Sequence, residues 1–157
     1  MLGVLLSAQV AAAKPPSREP FIQEPIEFAA GEVCPDFAVR FENVRGGQTL
    51  TTFSNGVVRI TGSLWTRVTN LDTGASVTVN SSEPATLTPN SDGTLTLKAA
   101  GPLLLFFFPG ELGAGRAGAI LSTTGLVTER VTADFSHIIS FSHPHGTTED
   151  LCQTLLR

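Results

Sequence analysis

Residues 101–110 read GPLLLFFFPG. Six large apolar residues, Leu103 to Phe108, stand in a row between two Gly/Pro breaks. A membrane helix needs about twenty apolar residues, so this run does not span a bilayer. It reads as a short strand, and one with no polar alternation has to be covered on both faces, by protein or by a ligand. Leu104, Phe106 and Phe108 then face one side, and Leu103, Leu105 and Phe107 the other.

Outward from this run the chain is written in period two. Upstream, DFAVRFE (36–42) puts Phe37, Val39 and Phe41 on one face and Ala38, Arg40 and Glu42 on the other. The pair Gly46-Gly47 is expected to turn the chain. Asn55-Gly56 is the strongest hairpin signal, because both residues accept positive φ. SLWTRVTN (63–70) alternates Leu64, Thr66 and Val68 against Trp65, Arg67 and Thr69. NLDTG is a turn in which Asp72 is expected to bond local amides. ASVTVN continues the pattern, EPATLTP is a strand weakened by its prolines, and TLTLKA leads into the apolar run. Downstream, GELGAGRAG is a glycine-rich loop, AILSTTGLVTERVTADF is expected to form a hairpin turning at Thr124-Gly125, and HIISFS is the last strand. HGTTEDLCQTLLR reads as a short helix capped by Thr147 or Thr148. Glu149 and Asp150 are placed in its first turn, and Leu151, Cys152 and Leu155 on its apolar face. Eight to ten strands at hairpin spacing, without a βαβ rhythm, make the chain all-β. The expected architecture is a single closed or nearly closed antiparallel β-barrel of about eight strands with a short C-terminal helix. A β-sandwich is the alternative.

The termini indicate compartment. Residues 1–13 hold an apolar core, Leu2 to Val10, followed by three alanines, which is the pattern of a cleaved signal peptide; a buried N-terminal helix or strand is the competing reading. Residues 14–31 carry four prolines and form an extended arm. Phe21, Ile22, Ile26 and Phe28 lie along the arm, which is therefore expected to lie across the domain and bury them. Residues 32–157 are the β domain. Cys34 and Cys152 are the two cysteines, and in an exported chain they are expected to pair, with two free buried thiols as the alternative. The bond would close nearly the whole domain, a loop for which chain entropy gives about 4–5 kcal/mol. The net charge is −4 and the lysines are Lys14 and Lys98 alone, which excludes a nucleic-acid footprint.

KPPSREP, GEVCPDFAVRF, RVTNLDTG, LFFFPGELGAGRAGA and SFSHPHGTTEDLC resemble the landmarks of small, secreted, uncharacterised actinobacterial β-rich proteins. The likeness runs over nearly all of the chain after residue 13. It implies a secreted single-domain β protein with a disulfide between its ends, and no particular activity. In architecture alone the expected barrel also resembles allene oxide cyclase and dirigent proteins.

Candidate chemistry is sparse. His143 and His145 in SHPHG stand two apart, but Pro144 bends the chain between them and no third ligand has metal spacing. No nucleophile elbow is present and tyrosine is absent. Glu129 and Arg130 are on opposite faces of one strand, each expected to meet a neighbouring strand or solvent. PGELGAGRAGA has the glycines of a phosphate loop without its Lys-Ser/Thr ending, so it is expected to be a hairpin loop with Glu111 and Arg116 paired across it at the rim of a pocket. The sequence therefore favours a secreted, non-enzymatic barrel that binds a small hydrophobic molecule or an extracellular partner. The ligand-binding candidates are Trp65, Leu104, Phe106, Phe108, Glu111 and Arg116. No catalytic residue, metal or cofactor is assigned, no membrane span is expected, and the chain is a monomer or homodimer. Two alternatives remain open: a metal-independent barrel enzyme of cyclase or isomerase type, which requires a buried ionisable group in the cavity, and a structural protein with a solid core.

Overall fold

The computed structural model describes residues 14–82 and 84–157; the expected leader, residues 1–13, lies outside the described residues. In chain order the strands are β1 (Ser17–Phe21), β2 (Ile26–Phe28), β3 (Val39–Thr52), β4 (Val58–Asn70), β5 (Ser76–Asn80), β6 (Ala85–Pro89), β7 (Leu95–Ala100), β8 (Leu103–Phe107), β9 (Ala119–Thr123), β10 (Leu126–Val131), β11 (Ile138–His145) and β12 (Thr148–Asp150), followed by helix α1 (Leu151–Thr154). The fold is all-β with a short C-terminal helix. Nine strands form one antiparallel sheet in the order β1-β3-β4-β6-β7-β10-β11, with β2 added to β3 and β5 added to β4; β12-β9-β8 form a second.

The pairings among the described residues leave the large sheet open, with β1 and β11 as its outer strands. Each of these edges carries a proline, Pro20 in β1 and Pro144 in β11. A proline has no backbone donor, and its presence discourages further pairing at an edge.

The β3–β4 hairpin turns at Asn55-Gly56 as expected, with Gly56 at φ 80° and the Asn55 side chain accepting the Val57 amide. Gly46-Gly47, expected as a turn, is instead internal to the 14-residue β3. Backbone crowding explains Gly46, and Gly62 across from it, while Gly47 faces open space. A Cβ on Gly46 would overlap the Ser63 carbonyl oxygen of β4, and one on Gly62 would overlap that of Gly47. The close approach falls where β4 changes partner, from β6 at residues 58–60 to β5 at residues 65–69. Just before it, a bulge between Asn43 and Arg45 shifts the register. In the NLDTG turn the side chain that bonds local amides is that of Asn70, which accepts from Asp72 and Thr73, rather than that of Asp72.

Thr124-Gly125 is a corner rather than a hairpin. β9 pairs with β8 and β12, whereas β10 pairs with β7 and β11, so the chain changes sheet there. The corner is pinned by His143, whose Nε2 lies 2.8 Å from the Thr124 carbonyl oxygen and whose Nδ1 lies 3.1 Å from the Thr148 hydroxyl. The C-terminal helix begins later than the sequence suggests. Glu149 and Asp150 extend β12 against β9, and Asp150 then caps the helix by accepting the Cys152 amide.

β8 is buried on one face and only partly covered on the other, where Phe106 is 37% exposed. Leu103, Leu105 and Phe107 pack with Ala85, Ala99 and Val127 from β6, β7 and β10. Leu104 and Phe108 pack against the second cluster, built on Val39, Phe41, Val68 and Ile120. That cluster also contains Cys34 and Cys152, which are bonded with their Cα atoms 5.5 Å apart. The Pro-rich arm supplies part of the cover as edge pairing: β1 and β2 both hydrogen-bond to β3. The Phe28 ring lies 5.1–5.8 Å from those of Phe41, Phe106 and Phe108, edge-on to Phe41 and Phe108 and tilted against Phe106. The expectation that all four apolar arm residues are buried is not met, since Ile22 is 76% exposed and Ile26 is 42% exposed.

Candidate functional site

The wall of β8 that meets β3 and β4 is not packed solid. A part-open cavity of about 300 Å³ lies there, with Leu104, Phe106, Phe41 and Phe28 on one side and Ile60, Leu64, Leu87 and Leu97 from the large sheet around it. Its polar edge is a buried cluster. The Thr66 hydroxyl bonds to Asn43 at 3.1 Å and shares a 2.9 Å bond with the Ser81 hydroxyl, while the Gln48 amide reaches the Ser81 carbonyl at 3.5 Å. The bulge places Gln48 here. In front of it the odd residues Phe37, Val39 and Phe41 face inward; after it an even residue, Gln48, is the buried one.

A second cavity of about 150 Å³ shares the walls Leu104, Leu105, Phe106 and Phe135 with the first. Its chemistry differs, because Glu111, Glu129 and His137 line it. Glu111, from the loop after β8, accepts the Phe108 amide at 2.7 Å and the Ile138 amide at 2.8 Å, and lies 3.8 Å from His137 Nδ1. Glu129, on β10, is only 4% exposed, and its Oε1 is buried without a hydrogen-bond partner. Burial, and then the charge of Glu111, push its carboxyl up from 4.5 to about 7. The group that the sequence left to a neighbouring strand or solvent is thus an interior acid. Arg130, one residue on, is on the outside, where it bonds Asp92 and Thr94.

The shared wall includes an unusual residue. Phe135 has φ 59°, a left-handed conformation that bulky side chains avoid, and its ring is over half exposed. The turn around it holds this geometry. Asp134 accepts from the Thr132 hydroxyl, the Ser136 amide and the Ser136 hydroxyl, and these bonds hold its exposed carboxyl down at about 2.

Of the residues expected at a ligand site, Leu104 and Phe106 line both cavities, and Phe108 and Glu111 line the smaller. Trp65 lines neither. It lies on the face of β4 opposite the buried Leu64 and Thr66, beside Arg67, which pairs with Glu42 at 3.7 Å. Arg116 is exposed in the loop and lines neither cavity, and the expected Glu111–Arg116 pair is not formed, because the Glu111 carboxylate turns inward to two backbone amides. Among the described residues no group of three His, Cys, Asp or Glu is arranged to hold a metal ion, and no helix is long and apolar enough to cross a membrane. No protein-family model, curated protein or solved structure matches the chain.

Proposed function

We propose that the protein is a secreted, non-enzymatic binder of a small hydrophobic molecule, held where the large sheet wraps β8 like an incompletely closed barrel. The observation that carries this reading is the 300 Å³ cavity walled by Leu104, Phe106 and the aliphatic face of β4, β6 and β7. Its size and its apolar lining with a few convergent polar groups are those of small-molecule sites. The cavity also speaks against a solidly packed structural protein. The disulfide between the two ends of the β domain supports an oxidising compartment. The landmark resemblance to small secreted actinobacterial proteins agrees with that compartment. Native mass spectrometry of the protein purified from its own culture medium tests the reading. We expect an extra mass that organic solvent removes; a bare chain with one disulfide would count against a carrier.

A second reading, a metal-independent cyclase or isomerase, has one observation in its favour. Glu129 is an ionisable group buried in a cavity, with a pKa close to neutrality that suits general acid or base work. It would require a reacting substrate whose turnover is lost in Glu129→Gln.

A further inference from the structure

We propose that the smaller cavity is a head-group site selective for a primary ammonium, so that the bound molecule is an amphiphilic amine whose apolar part occupies the larger cavity. The proposal rests on the hydrophobic-ligand reading of that larger cavity.

Charge decides the class of ligand. Glu111 and Glu129 line the smaller cavity and Glu24 the larger, while among the described residues no lysine or arginine lines either. A carboxylate or phosphate head would meet the charge of Glu111 and find no cationic side chain to pair with. His137 could offset one carboxylate only when protonated, and it is largely exposed to solvent. A divalent ion needs more ligands than the site offers, as no metal-holding group of three exists among the described residues.

Hydrogen-bonding capacity points the same way. The Glu129 Oε1 is an acceptor left without a donor in the interior, a condition that costs free energy until a donor arrives. Each Glu111 oxygen receives one backbone amide and keeps acceptor capacity. An ammonium brings three donors and a positive charge to these carboxylates, and the two acids offset the cost of taking that charge out of water. The four shared walls put the acidic cavity next to the apolar one, so head and tail have adjoining places. Because Glu129 is part-protonated at pH 7, it gives up a fraction of a proton when the cation binds. Binding of an amine therefore releases protons, whereas binding of an alcohol does not.

Isothermal titration of the oxidised protein at pH 7 with n-octylammonium, 1-octanol and octanoate tests this, in two buffers of different ionisation enthalpy. We expect octylammonium to bind about tenfold or more tightly than octanol, with proton release, and octanoate to bind least. Glu129→Gln should weaken octylammonium binding, abolish its proton release and leave octanol unchanged. The wild-type proton release is read independently of whether that variant folds. Octanol binding as tightly as octylammonium, or octylammonium binding without proton release, would overturn the amine site and leave the apolar cavity standing. Failure of all three compounds to bind would overturn the cavity reading and the amine site with it.

Discussion

Replacing Glu129 by glutamine should change how stability depends on pH, and the size of the change follows from the buried carboxyl. In the folded protein the group titrates at about 7, against an ordinary 4.5 for an unfolded chain. Below pH 4.5 it is protonated in both states, and its neutral form costs the fold nothing further. Between pH 4.5 and 7 the unfolded chain releases the proton while the folded chain keeps it, so stability falls as pH rises. Above pH 7 both states are ionised and the full penalty is present. A displacement from 4.5 to about 7 corresponds to about 3 kcal/mol. Glutamine has nearly the same shape and does not titrate. Part of that penalty is already present at pH 5, so the advantage of Glu129→Gln over wild type should widen by about 2.5 kcal/mol between pH 5 and pH 8. Any cost of fitting the second amide group is independent of pH and cancels in that difference. The histidines and the low-titrating Asp134 are common to both proteins and cancel as well. Urea unfolding of both oxidised proteins at pH 5, 6, 7 and 8 measures it. A difference that stays constant across this range, within about 0.5 kcal/mol, would refute the placement of Glu129 as an interior acid.

The two neighbouring glycines of β3 should respond oppositely to alanine. Gly46→Ala forces a Cβ into the Ser63 carbonyl at positive φ and should cost about 2 kcal/mol or more, while Gly47→Ala meets open space and should stay within about 0.5 kcal/mol; similar urea midpoints for the two would show that β3 and β4 do not approach closely here. Replacing both Cys34 and Cys152 by serine opens a loop with a sequence separation of 118 and should remove about 3–5 kcal/mol, read as a lowered Tm in the same buffer without reductant. Phe135→Gly should relieve left-handed strain at a half-exposed position and raise stability or leave it unchanged; a loss above about 1 kcal/mol in urea unfolding would mean that packing of the ring outweighs its backbone cost.

Much of the fold was legible because most strands obey a period of two. Phe37, Val39 and Phe41, and then Leu64, Thr66 and Val68, fall on one face in the sequence and are buried in the structure. The disulfide followed from a count of two and an inferred compartment. What the sequence hid were departures from local rules. Gly46-Gly47 has the composition of a turn, yet Gly46 serves a close approach between two long strands, and local propensity carries no information on how near a distant strand comes. Thr124-Gly125 has the composition of a hairpin, yet the two strands it joins belong to different sheets, which only their remote partners decide. That the large sheet stays open is likewise decided by edges, β1 and β11, that lie far apart in sequence.

The interior acid is a different kind of omission, since its signal was present. In LVTERV, Glu129 shares its parity with Val127 and Val131, both of which are buried. A strand whose inward face reads Val-Glu-Val either buries a charge or breaks its period, and the second is the usual resolution because an unpaired buried charge is costly. Here the conflict is resolved by keeping the carboxyl protonated up to about pH 7 and leaving one oxygen without a partner beside a cavity. Local consistency is the rule in sequences that fold well, so a position that violates it without an internal compensation marks where something outside the chain is expected to bind. Trp65, for all its aromatic ring, satisfies every local rule on the outer face of β4 and lines neither cavity. Glu129, set aside as an ordinary strand charge, breaks the pattern and faces the site.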